Sequence, residues 1–162
     1  MDIQQNPGHI PGLIGEVVLL HGAYYAKHWN FGQVFEIQVA RELSEFMRTF
    51  DPARDGFWAA MEHGRTAGFL ALDATSQAKG EARLRWFIMC EDFRGQGAGK
   101  ALLERAMRYC RERGYKRVFL WTFKGLEGAR KLYESAGFVL TEEHPSTDWG
   151  PEIIAQKYEQ AL

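Results

Sequence analysis

The chain is 162 residues long, 46% hydrophobic and 14% aromatic, enough apolar material for the core of one domain. Twenty Lys and Arg against 21 Asp and Glu leave a formal net charge of -1, which favours neither nucleic acid nor an anionic membrane as partner. No basic segment followed by an apolar run opens the chain and no stretch is long and apolar enough to span a bilayer, so a soluble, cytoplasmic protein is expected. Cys90 and Cys110 lack C-x-x-C spacing and a nearby His/Cys cluster, which argues against a disulfide framework and against a metal site. Both read as reduced, packed small hydrophobes.

After Pro7-Gly8 and Pro11-Gly12, the residues Leu13, Val17, Leu20, Tyr24 and Tyr25 recur at helical spacing and predict a helix over 13–27, interrupted by Gly15 and Gly22. Phe31, Val34, Phe35, Val39, Leu43, Phe46, Met47 and Phe50 form the apolar stripe of a second helix that stops at Asp51-Pro52. Strands are predicted over 57–62 and 67–75 around a turn at 63–65, and a polar connection over 76–80 leads to a strand over 83–90. A helix then opens in a glycine loop, with Ala98, Leu102, Ala106 and Cys110 on one face and Gly114 just past its end. A strand over 117–123, a helix over 126–136 stopped by Gly137, and strands over 138–141 and 153–158 complete the series. This order predicts one α+β domain over 1–162, a mixed and mostly antiparallel sheet with helices on both faces.

The loop Arg94-Gly95-Gln96-Gly97-Ala98-Gly99-Lys100 follows a strand and begins a helix, where unpaired backbone N–H groups and the helix dipole favour an anion. A P-loop would need glycine five positions before Gly99, where Arg94 stands, and Ser or Thr where Ala101 stands. A dinucleotide fingerprint starting at Gly95 would need glycine in place of Lys100. A tight turn whose glycines only allow close strand-to-helix packing remains the alternative. Eight basic residues against Glu104 and Glu112 lie between Arg94 and Arg117; most suit a solvated helix face, and Arg94 and Lys100 are best placed to meet phosphates.

Arg94 to Gly99 fits the pattern R/Q-x-x-G-x-G/A, and Ala129-Arg130-Lys131-Leu132-Tyr133-Glu134-Ser135-Ala136-Gly137-Phe138 fits A-x-x-L-Y-E-x-x-G-F downstream. In these two ordered motifs the chain resembles the GNAT superfamily of acyl-CoA N-acyltransferases, well over 57–158 and more loosely before. His21-Gly22-Ala23-Tyr24-Tyr25, Phe35-Glu36, Leu120-Trp121-Thr122 and Trp149-Gly150 are further similar to the acetyltransferase halves of MarR-type regulator fusions, without a DNA-binding half.

The resemblance implies the GNAT fold, acetyl-CoA as cosubstrate and no metal. It implies an N-acetyltransferase that moves the acetyl group to a primary amine by direct attack in a ternary complex. The acceptor would be a small-molecule or peptide amine, and a homodimer is one assembly that such folds adopt. Backbone groups of Ile88, Met89 and Cys90 would hold the pantetheine arm like one more strand, and Arg94, Gly95, Gln96, Gly97, Ala98, Gly99 and Lys100 would hold the pyrophosphate, with Ala129 and Tyr133 completing the cofactor site. Tyr133 matches the general acid; a Tyr hydrogen-bonded within the core is its plain alternative. Leu126 departs from the Asn often found at that place. For the general base, Glu36 and His21 rank first, set among Tyr24, Tyr25, Trp29 and Phe35, with His144, Glu91 and Asp92 behind. A solvated Glu36 and a hydrogen-bonded His21 are the corresponding plain readings. Cys90 has no partner placed by sequence to make it a nucleophile.

Residues 21–36 and 144–150 would wall the acceptor pocket, and Glu36, Asp148 and Glu152 would suit a cationic amine. Two other classes compete: an acetyl-CoA-binding sensor or interaction module without catalysis, and a nucleic-acid binder using the 94–117 basic run. The last has only Tyr109 and Tyr115 for stacking and ranks low.

Overall fold

A computed structural model describes residues 1–74, 78 and 80–162, so most of the polar connection expected over 76–80 lies outside the described residues. The chain runs β1 (Asp2–Gln5), α1 (Leu13–Trp29), α2 (Gln33–Thr49), β2 (Gly56–Glu62), β3 (Arg65–Asp73), β4 (Glu81–Met89), a 3-10 turn (Glu91–Phe93), α3 (Ala98–Glu112), β5 (Arg117–Phe123), α4 (Glu127–Ser135), β6 (Val139–Ser146) and β7 (Ile153–Ala161). Seven strands form one sheet in the order β1-β2-β3-β4-β5-β7-β6. Only the β4–β5 pair is parallel.

The alternation of side chains along β2 and β3 builds two cores from one run of sequence. Phe57, Phe69 and Ala71 face one way and pack with Leu13, Val17, Leu43 and Phe46 of α1 and α2. Trp58, Leu70 and Leu72 face the other way and pack with Leu102, Leu103, Ala106 and Cys110 of α3. Burial pushes the Cys110 thiol up to about 12, as expected of an inert packed cysteine. The first strand is an addition to the expected series: Asp2–Gln5 is polar and exposed at its ends, and its pairing with β2 rests on backbone groups that leave no hydrophobic pattern. Asn6 closes that edge, its Oδ1 accepting from the Phe57 N–H at 2.8 Å. No helix among the described residues is long and apolar enough to cross a membrane.

The sheet parts in the middle. β4 and β5 pair only from Glu81↔Arg117 to Leu84↔Leu120, while β5 stays paired with β7 as far as Phe123↔Ala155. Between Arg85 and Ile88, β4 bulges against β3, and Trp86 takes φ 49 at that point. The extra residue bends β4 away from β5. The Trp86 ring is held at 5.3 Å from Phe46, with the Arg85 guanidinium 4.1 Å over its face.

Both helices beyond the opening end in the same hydrogen-bonded cap. On α3 the Gly114 N–H reaches Arg111 O at 3.1 Å and the Tyr115 N–H reaches Cys110 O at 3.0 Å. On α4 the Gly137 N–H reaches Glu134 O and the Phe138 N–H reaches Tyr133 O, both at 3.0 Å. The Phe138 ring then lies 6.1 Å from the Tyr133 ring, the apolar contact that accompanies this cap and fixes the helix turn carrying Tyr133.

Gly125, in the turn from β5 to α4, has φ 116, and a Cβ there would come within 2.3 Å of the Trp29 ring. Gly125→Ala therefore combines backbone strain with a clash and is expected to destabilise the protein by about 2 kcal/mol or more. A lower urea midpoint at an unchanged slope is the expected result; an unchanged midpoint would contradict it.

Candidate active site

Two cavities flank the parted strands. The loop-side cavity, about 440 Å³, lies between α1, the end of β4 and the starts of α3 and α4. The α2-side cavity, about 420 Å³, lies between α2, β4, β5 and the β6–β7 connection. Tyr25, Phe87, Leu126, Ala129 and Tyr133 line both, so the two spaces meet at these residues.

The loop-side cavity is built on backbone. Gly97, with φ 83, precedes α3, and the first intrahelical bond runs from the Ala101 N–H to Gly97 O at 3.0 Å. The N–H groups of Ala98, Gly99 and Lys100 therefore stand ahead of the helical ladder, and no side chain caps this end. Gly97, Gly99 and Lys100 line the cavity, and a Cβ at Gly97 would meet nothing within 4 Å, so the approach to these amides is open. On β4 the Cys90 N–H donates to Ala67 O at 2.8 Å. Strand alternation then turns the backbone of Ile88 and Cys90 toward β3 and that of Met89 toward the opening. Of the three strand residues expected to hold an extended ligand, Met89 alone turns its backbone to the opening, offering its N–H there while its carbonyl accepts from Arg94.

Arg94 differs from the expectation of a phosphate contact. Its Nε and Nη2 both donate to Met89 O at 3.1 Å, and its guanidinium lies 4.0 Å over the Tyr24 ring. Beside it Glu91 accepts from Lys27 and His28 of α1, which removes Glu91 from the candidate bases. Arg94 and Glu91 thus fasten the glycine loop to α1. Gln96 folds back to Asp92 O at 3.1 Å, and the Ala98 side chain is buried. Cys90, Gln96 and Ala98 accordingly do not line the cavity, while Ile88, Met89, Arg94, Gly95, Gly97, Gly99, Lys100, Ala129 and Tyr133 do.

Tyr133 is 7% exposed, within ring contact of Phe87, Phe138 and Tyr158. Burial, then the neighbouring Tyr25 and Tyr158, hold its phenol well above the usual tyrosine range, so it stays protonated at neutral pH.

The two bases ranked first fare differently. Glu36 is exposed and lies over Gly22 of α1, where a glycine Cβ would come within 2.9 Å of its Oε2; it lines neither cavity. The α2 face turned to the cavity carries Phe35, Gln38, Val39 and Glu42, an i, i+3, i+4, i+7 set from which Glu36 is rotated by one residue. The Phe35/Val39 stripe contained the signal for Gln38 and Glu42. His21 does line the α2-side cavity. Its Nδ1 lies 2.8 Å from Val17 O, and since a carbonyl only accepts, Nδ1 carries the proton and Nε2 is left bare. Burial, partly offset by that hydrogen bond, lowers its pKa to about 4, so it is a neutral acceptor of low basicity. His144 and Asp148 also line this cavity, His144 with Nδ1 at 3.3 Å from Glu142 and its ring 5.4 Å from Trp121. Glu152 does not. Sequence reasoning missed Arg83, Arg85 and Phe87, which a strand pattern alone could not assign to a cavity. Among the described residues no cluster of three or more His, Cys, Asp or Glu could hold a metal ion.

The fold aligns over 100% of both chains with a ribosomal-protein-alanine N-acetyltransferase from Brucella melitensis, at TM-score 0.76 and 14% identity. It aligns over 100% of this chain and 95% of a protein from Salmonella typhimurium assigned as an acetyltransferase and solved with its cofactor acetyl-CoA, at TM-score 0.73 and 14% identity. Residues 19–138 match the model of the acetyltransferase (GNAT) family, and the chain belongs to that family. An uncharacterized N-acetyltransferase of Methanocaldococcus jannaschii is 33% identical over 88 residues, 52% of this chain and 39% of that protein. The chain spans about half or less of the length of the first curated relatives it matches, from 39% to 53%.

The depressed His21 pKa has a stability consequence. Between about 4 and 6.5 the unfolded chain binds a proton that the folded protein excludes, so stability rises with pH across that window. The contribution is complete above 6.5 and is lost as pH falls toward 4. By this linkage the native protein loses about 2 kcal/mol on going from pH 7.5 to 5 through this group. His21→Gln is expected to have a flatter Tm-against-pH curve over that interval, as read by scanning calorimetry; parallel curves would exclude a buried neutral His21.

Proposed function

We propose that this chain is an acetyl-CoA-dependent N-acetyltransferase that moves the acetyl group to a primary amine by direct attack in a ternary complex. The observation carrying this reading is the meeting of the two cavities at Tyr133, one framed by bare helix-start amides and the other by polar and aromatic side chains. The residues present fit the cofactor: the N–H groups of Ala98, Gly99 and Lys100 suit a pyrophosphate, and the Met89 N–H suits a carbonyl of an extended amide-bearing arm. When bound, acetyl-CoA supplies an activated thioester.

The chain's own groups do the rest. Met89 and the β4 bulge fix the arm, and the aromatic wall of Tyr25, Phe87 and Tyr133 excludes water where the cavities meet. The amine nitrogen bonds to the acetyl carbon as the carbon–sulfur bond breaks. Tyr133 gives its hydroxyl proton to the departing sulfur, for which its protonated state at neutral pH prepares it. His144, with Glu142 at its Nδ1, would take the proton lost by the amine and release it to solvent, from which the Tyr133 phenolate would recover a proton, so that both groups end as they began. His21, with Nε2 bare, serves as a hydrogen-bond acceptor in the acceptor cavity.

Calorimetric titration with acetyl-CoA, CoA and ATP, followed by free-thiol release over an amine panel, tests this reading. Micromolar acetyl-CoA binding without ATP binding, and thiol release with amines, are expected. Binding without turnover would favour the sensor, and folded protein that binds no acetyl-CoA would overturn the proposal. Tyr133→Phe is expected to lower kcat by roughly a hundredfold at neutral pH with acetyl-CoA affinity nearly unchanged; unaltered turnover would remove Tyr133 from the acid role. Gly97→Asp, which places a negative charge and a strained φ at the loop, is expected to weaken acetyl-CoA binding at least about tenfold in a folded protein.

A further inference from the structure

β4 sends two arginines, Arg83 and Arg85, toward the α2-side cavity from alternate positions on one face of the strand. Arg85 is fully engaged. Its Nη1 donates to Asp73 Oδ2 at 3.0 Å, its Nη2 donates to Glu42, and its guanidinium stacks on Trp86. Arg83 is not. It makes no ion pair among the described residues, and its Nε is buried without a hydrogen-bond partner. Burial, then the charge of Arg85, drives its guanidinium down to about 10 against the weaker pull of Glu42 and Asp73. A half-buried cation whose Nε has no hydrogen-bond partner lowers the stability of the empty fold, and its place on a cavity wall marks it as a candidate binding group.

The cavity has dimensions to match. At about 420 Å³ it suits a small molecule, and Arg83 and Tyr133 line the same space, so one compact ligand can reach both. A guanidinium fork is the donor set that matches a carboxylate in two parallel hydrogen bonds. Resting on the transferase reading above, we propose that Arg83 receives the carboxylate of the acceptor, which makes the substrate a small amine bearing a carboxylate, of the amino-acid class. Asp148, which lines the same cavity and makes no ion pair among the described residues, complements this arrangement as the anion that draws the ammonium form of the ligand to the cavity mouth.

Matched pairs test the proposal: the amino acids and their carboxamides, compared by thiol release at saturating acetyl-CoA. The acids are expected to exceed their amides at least about tenfold in kcat/KM. Arg83→Gln is expected to raise KM for the acids roughly 10–100-fold, with kcat, the rates on amides and the acetyl-CoA Kd little changed, and Arg83→Lys to restore part of the loss. Because burial and the Arg85 charge outweigh the pull of Glu42 and Asp73 on the removed charge, Arg83→Gln is also expected to keep or raise Tm. Equal or better use of the amides, or an Arg83→Gln variant that depresses both series alike or unfolds at lower temperature, would overturn the assignment. Absence of acetyl-CoA binding would defeat the transferase reading itself, whereas normal acetyl-CoA binding with every acid refused would defeat only this proposal.

Discussion

The parting of β4 from β5 is the constraint on which the rest of the molecule depends. Four residue pairs join the strands at one end, from Glu81↔Arg117 to Leu84↔Leu120. Past that point the bulge at Trp86 directs β4 outward while β7 holds β5 in place. A sheet interrupted in its centre exposes backbone donors and acceptors where a continuous sheet would satisfy them. The surrounding elements are arranged around that gap: α1 and α2 wall one side, α3 starts at its mouth, and α4 brings Tyr133 across it.

The fold supplies the rigidity that such a gap needs. β2 and β3 are buried on both faces, so the helices on either side are anchored to one continuous apolar slab. The aromatic cluster of Tyr25, Phe31, Phe35, Phe123 and Trp149 then bridges α1, α2, the end of β5 and the β6–β7 connection. Its ring contacts tie together elements that the sheet itself does not join at that end.

Much of this was legible in the sequence, for physical reasons. The stripe from Phe35 to Phe46 in α2 and the Ala98/Leu102/Ala106/Cys110 face of α3 mark which side of each helix is buried, because periodicity reports burial directly. The glycine loop and the A-x-x-L-Y-E-x-x-G-F stretch were readable because a helix start, a C-terminal cap glycine and a buried tyrosine restrict residue choice at fixed offsets. β1 was not readable, since backbone pairing of a four-residue polar segment leaves no periodic trace. β6 runs to Ser146, beyond the expected 141, because an exposed edge strand tolerates Glu142, Glu143 and Pro145. Glu36 was placed on the wrong side of α2: its neighbour Phe35 points inward, but one residue along a helix is a rotation of about 100°, enough to put a carboxylate outside. The difference between Arg83 and Arg85 depends on which carboxylates fold back from α2 and β3, and no local pattern carries that information.

The fastening of the glycine loop bears on the thermodynamics of ligand capture. Arg94 grips the Met89 carbonyl and the Tyr24 face at once, and Glu91 reaches Lys27 and His28, so the loop is moored to α1 by charged contacts on both sides of its backbone. A loop so moored keeps its amides aligned before anything arrives. The conformational entropy that a slack loop would surrender on each encounter has already been given up during folding, and under the proposed function affinity at this end of the site would be set by solvation and charge rather than by ordering.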